Sequence, residues 1–111
     1  MGRSFSVIYF LKCNSYVKIG LTALVEYVDH DCVLISVKNR IGQLQTGNPY
    51  KITCIGVLLG DRGMEQTIHR ELAEYHVRGE WFKITPKVQR MIDAASTVEE
   101  LDAHLEAGWN G

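Results

Sequence analysis

The stretch VIYFLKCNSYVKIGLT, residues 7–22, limits what this chain can fold into more than any other. Residues 6–13 alternate as a half-buried strand does, with Val7, Tyr9 and Leu11 on one face and Ile8 and Phe10 on the other. Asn14-Ser15 supplies a tight two-residue turn, and residues 16–22 return as a second strand. That loop length sets Phe10 opposite Ile19, Ile8 opposite Leu21 and Lys12 opposite Val17, a mostly apolar face that belongs to a core. The other face pairs Leu11 with Lys18 and Tyr9 with Gly20. Tyr9 and Lys18 are then diagonal neighbours about 7–8 Å apart, and Gly20 has no side chain to cover the Tyr9 ring. Either this is an ordinary hairpin with a spare polar face, or it is half of a catalytic site.

The remaining chain alternates helix and strand signals. Residues 23–35 are apolar around a polar DHD centre and read as a small hairpin or an extended loop. His30 beside Cys32 lacks further ligands at metal spacing. Ser36 is a candidate N-cap, and Val37, Ile41 and Leu44 recur at helical spacing, so a helix is expected over about 37–46, ended by Gly47. Residues 51–60 read as a central strand. A second helix is expected over 64–77, with Met64, Ile68, Leu72 and Tyr75 as its core stripe and Glu65 off it. GEWFKI, 79–84, reads as a short strand or turn. Pro86 opens a third helix, and Thr97 with Glu100 is a capping box for a fourth that Gly108 ends. The pattern predicts an α/β fold with an antiparallel hairpin and flanking helices.

With 111 residues there is room for one domain with a real core. Cys13, Cys32 and Cys54 are odd in number and widely spaced, which argues against a disulfide framework and for reduced thiols in a cytoplasmic protein. The N-terminal segment reads as a strand rather than a signal peptide, and no apolar run is long enough for a membrane span. Net charge is −1, but its distribution is uneven. Residues 1–51 hold six Lys/Arg against three Asp/Glu, and residues 52–111 six against ten. A basic N-terminal half suits a polyanionic partner, and chance asymmetry accounts for it equally well.

Several residues have the chemistry of a phosphodiester-cleaving site. Glu65 and His69 lie four apart on one helix and can point to the same spot. A carboxylate suits Mg²⁺, which needs few protein ligands; the bland alternative is a surface acid and a hydrogen-bonded histidine. Arg40 carries a planar fork that fits phosphate oxygens. A cation near Tyr9 lowers its pKa, and Lys18 is the expected neighbour. Together these are a base, cations and a metal ligand.

VIYF (7–10), VKIG (17–20), an Arg leading into QLQTGNP (43–49), MEQTIHREL (64–72) and GEWF (79–82) follow one another in this order. The series resembles the GIY-YIG nuclease superfamily, in particular its short phage and bacterial branch. The resemblance covers residues 6–84, with residues 24–36 as an insertion and 85–111 as a C-terminal helical extension. It implies a small mixed, mainly antiparallel three-stranded sheet flanked by helices, and single-metal cleavage of DNA with Mg²⁺ or Mn²⁺. On that resemblance Tyr9 is the proposed base, and Gly20 is the motif glycine. Lys18 stands where tyrosine is common, although some restriction-enzyme members have lysine there. Arg40 contacts the scissile phosphate, Glu65 binds the metal, and His69 is available for proton handling. Lys12, Lys38 and Asn48 are the expected DNA contacts. Leu44 departs from the pattern, since many members have Tyr or His at that position. The competing expectation is an inactive module that binds DNA or a host or phage protein.

Overall fold

The computed structural model describes residues 3–22, 25–27 and 31–107. Its strands are β1 (Arg3–Phe5), β2 (Val7–Cys13), β3 (Tyr16–Leu21), β4 (Val25–Tyr27), β5 (Ile52–Leu59), β6 (His76–Arg78) and β7 (Trp81–Lys83). Its helices are α1 (Cys32–Gln45), α2 (Arg62–Glu71), α3 (Pro86–Asp93) and α4 (Val98–Glu106), with a 3₁₀ turn at Ala73–Tyr75.

The hairpin forms in the expected register: Phe10 pairs with Ile19, Ile8 with Leu21, Leu11 with Lys18 and Tyr9 with Gly20. Asn14 takes the left-handed conformation (φ 58°) that a two-residue turn demands, and asparagine tolerates it better than most side chains. The hairpin has no spare face along β2, however. Val7 through Leu11 are each at most 1% exposed, so this strand is buried on both sides. The apolar run from Val7 to Leu11 leaves neither face polar, which is the pattern of a fully buried strand.

Five strands, not three, make the main sheet, in the order β5-β2-β3-β7-β6. All its pairings are antiparallel. β7 is the short strand that GEWFKI allowed, and β6 grows from residues that read as the end of a helix; each is three residues long. β5 was expected at the centre and lies at an edge instead. That edge is covered by a bridge between Val57 and Ser96, with N–H···O bonds of 2.8 and 3.1 Å. β1 and β4 form a separate two-stranded ladder, so part of the expected insertion is strand. His30 and Gly108 lie outside the described residues.

Helices cover both faces of the sheet. Val7, Tyr9 and Leu11 pack with Val33 and Val37 of α1 and with Val98, Leu101 and Leu105 of α4. Ile8, Phe10, Val17, Ile19 and Phe82 pack with Ile68 and Leu72 near α2 and with Val88 and Ile92 of α3. The C-terminal helices thus complete both cores. Thr85 caps α3, and Thr97 and Glu100 form the reciprocal capping box of α4 as their spacing predicts.

Two helices differ from expectation. α1 starts at Cys32, before the supposed cap at Ser36, because its first N–H groups find a partner far away in sequence. The buried Asp102 carboxylate of α4 accepts from Val33 N at 3.0 Å and Leu34 N at 3.1 Å. An anion at a helix N-terminus satisfies free donors and the helix dipole together. α2 starts at Arg62, capped by Asp61, and ends six residues early. Ile68 and Leu72 are buried as expected, but Met64 is 40% exposed, whereas Glu65 is 7% exposed and shares their face. Among the described residues, no helix is long and apolar enough to cross a membrane.

Candidate functional site

Tyr9 points its ring across the sheet face toward β3. A Cβ built at Gly20 would lie 2.5 Å from Tyr9 Cζ and closer still to the hydroxyl, so only glycine lets the phenol occupy this place. The cation at this phenol is Arg40, not Lys18. The Arg40 guanidinium carbon is 6.0 Å from the Tyr9 ring centroid, and its Nη1 donates to Gln43 Oε1 at 3.2 Å. Helix α1 brings Arg40 here because Val33 and Val37 anchor it over β2. The Tyr9 pKa is raised, not lowered as the sequence led us to expect. Burial is the main cause, the Arg40 charge opposes it, and the Glu80 and Glu65 carboxylates push it further up.

Glu65, His69 and Glu80 converge from α2 and from the turn between β6 and β7. One ligand atom from each lies within 4.8 Å of the other two. The backbone of Ile19 on β3 organises two of them. His69 Nε2 meets the Ile19 carbonyl at 2.8 Å, and the Ile19 N–H donates to the Glu80 carbonyl at 3.0 Å. A carbonyl only accepts, so Nε2 is the donor to Ile19, and Nδ1 is the ring nitrogen left to meet a ligand. The Glu65 pKa is raised, first by burial and then by the Glu80 charge, with His69 and Arg62 opposing. Two carboxylates and an imidazole gathered in one place form a donor set that fits a divalent cation.

Lys18 is bound to the same cluster. Its Nζ is 3.2 Å from Glu80 Oε1 and 5.9 Å from the Trp81 ring centroid. The hairpin, α1, α2 and the β6–β7 turn therefore bring Tyr9, Lys18, Gly20, Arg40, Glu65 and His69 into one region. Glu80 and Trp81 had no assigned role in the sequence, although both stand in the quoted GEWF motif. What reveals them is the β3–β7 pairing of Lys18 with Trp81.

Of the expected DNA contacts, Lys12 and Lys38 lie in other hollows, whereas Asn48 lines a cleft that shares Trp81 with this region. Lys12 lines a hollow with Gln89, Asp93 and Glu100, and Lys38 lines another with Cys54 and Glu99. Asn48 shapes a loop: its Oδ1 accepts from Tyr50 N at 2.9 Å, while Gln45 Nε2 donates to Tyr50 O at 2.8 Å. Leu44 packs against the α1-side core.

No curated protein and no solved structure matches the chain. Among protein families, the T5orf172 domain matches over residues 6–103, a span that includes α3 and most of α4. The chain belongs to the T5orf172 domain family, a phage-related domain.

Proposed function

We propose that this chain is a metal-dependent DNA endonuclease of the GIY-YIG type, hydrolysing phosphodiester bonds with one Mg²⁺ or Mn²⁺ ion. The observation that carries this reading is the buried Glu65 beside His69 and Glu80, set against the Tyr9 phenol and Arg40. A core has no use for a buried carboxylate set beside a second carboxylate and an imidazole, whereas a cation site does.

In this reading Glu65, His69 and Glu80 hold the ion, which supplies charge neutralisation at the phosphodiester when bound. Arg40 holds a non-bridging phosphate oxygen through its planar fork. Tyr9, whose hydroxyl the missing side chain of Gly20 admits, orients the attacking water. Oxygen of that water bonds to phosphorus and the water's proton passes to the Tyr9 phenolate; the ester P–O bond breaks with its electron pair going to the departing oxygen, which takes a proton from solvent. Arg40 also stabilises the phenolate, while Lys18, paired with Glu80, lends its charge to the phosphate. Because burial keeps Tyr9 protonated at neutral pH, the active fraction rises with pH into the alkaline range.

Nicking of supercoiled plasmid in Mg²⁺ or Mn²⁺ tests the proposal. Wild type is expected to convert supercoiled to open-circle DNA faster at pH 9 than at pH 7. Arg40→Ala and Glu65→Ala are expected to lose activity by at least about 100-fold, a loss typical of removing transition-state charge stabilisation. No nicking by wild type, or equal nicking by Glu65→Ala, would refute it. The second reading, a DNA-binding module without turnover, draws on Leu44, which puts a core side chain where many nucleases titrate.

A further inference from the structure

Beside the candidate site lies a cleft of about 430 Å³ that the proposed chemistry does not use. Tyr16, Pro49, Tyr50, Val77, Arg78 and Trp81 are among the residues lining it. We propose that this cleft receives an unpaired nucleotide of the DNA strand, its base stacked on Tyr16, Tyr50 and Trp81 and its phosphate on Arg78. The proposal rests on the nuclease reading for the kind of substrate, and it adds a preference for unpaired or gapped DNA.

Position is the first argument. Tyr16, Lys18 and Gly20 alternate along β3 and so point to the same face of the sheet. Tyr16 lies about 13 Å along the strand from Gly20 at the usual rise per residue. Trp81, opposite Lys18, belongs to both the candidate site and the cleft. On this face α1 and α4 pack over β2 and β5, which leaves the β3–β7–β6 side for the cleft.

Chemistry is the second. Tyr16 is 41% exposed, Tyr50 57% and Val77 54%, a concentration of apolar surface around one opening. Among the described residues Arg78 is the charged group lining the cleft, and no carboxylate lines it. Aromatic faces beside an arginine match a base joined to a phosphate. A paired base presents only its edges to a protein, so ring faces inside a cleft meet a base only after it leaves the stack. The loop carrying Pro49 and Tyr50 is fixed in advance, since Gln45 also accepts from Ile52 N at 2.9 Å. Pre-ordering spares the entropy of fixing Tyr50 on binding.

Fluorescence anisotropy with end-labelled oligonucleotides in EDTA tests this without turnover. Wild type is expected to bind a single strand, or a duplex with a one-nucleotide gap, about tenfold more tightly than the intact duplex, in line with one stacked base. Tyr50→Ala should remove most of that preference, and Tyr50→Phe should retain it. Arg78→Ala should flatten the salt dependence on the single strand by about 0.7 in log–log slope, as expected for one phosphate contact. Quenching of 2-aminopurine in the gap strand, lost in Tyr50→Ala, reports the stacking directly. Equal affinity for gapped and intact duplex, or an unchanged preference in Tyr50→Ala, overturns the proposal; so does binding to no oligonucleotide at all. Plasmid nicking reads the nuclease separately: a cutting enzyme without the gap preference refutes only the cleft. A gap preference without cutting refutes only the catalysis.

Discussion

At Glu65 a carboxylate occupies a place on α2 that the helix periodicity had assigned to solvent. Ile68 and Leu72 are buried as their spacing predicts, but Glu65, three residues before Ile68, shares their face, and Met64 in the first turn stays outside. The consequence is a testable cost. A carboxyl whose folded-state pKa is raised destabilises the fold above that pKa, where it must ionise, and not below it, where it is protonated. Glu65→Gln is therefore expected to melt a few degrees higher than wild type at pH 8 in EDTA. The gap should close as pH falls through the raised pKa into the usual carboxylate range. Thermal denaturation followed by circular dichroism at the two pH values checks this. A lower melting temperature for Glu65→Gln at pH 8 would mean that the carboxylate serves stability. Tyr9 and Gly20, by contrast, were legible from the hairpin alone, because a two-residue turn fixes which side chains face each other. Their surroundings were not: the cation at Tyr9 comes from α1, and no local pattern could choose Arg40 over Lys18.

The elements show the same division between local and distant causes. Helices α3 and α4 were legible because their caps, Thr85, Thr97 and Glu100, lie within three residues of the groups they satisfy. The start of α1 was not, because its cap is Asp102, 69 residues from Val33. β6 was hidden for a related reason: three residues are too few to show a period, and only pairing with β7 makes them a strand. Since α1 carries Arg40, its distant cap links the C-terminal helix to the site. Asp102→Ala is expected to lower stability by about 2–3 kcal/mol, the range for buried hydrogen bonds to a charged group. Urea denaturation measures this. The same substitution should slow nicking under native conditions while leaving cation binding intact, because Glu65, His69 and Glu80 do not lie on α1. A loss below about 0.5 kcal/mol would show that the cap is dispensable, as an ordinary exposed pair is.

On the scale of the whole molecule, the sheet acts as a plate with different tasks at different places. Its β5–β2 side is sealed by α1 and α4, while β3 and β7 carry the side chains that face the candidate site and the cleft. Ile19 fixes the centre of this arrangement: its side chain is buried in one core while its peptide groups hold His69 and Glu80. The proposed cation site is thus assembled against β3, and the functional reading depends on it. Isothermal titration of the metal-free protein with Mn²⁺ tests it most directly. The account predicts one ion per chain, binding weakened at least about tenfold by His69→Ala or Glu80→Gln, as expected for loss of one ligand or its support, and abolished by Glu65→Gln. Absence of binding to wild type, or equal binding by wild type and Glu65→Gln, would contradict it.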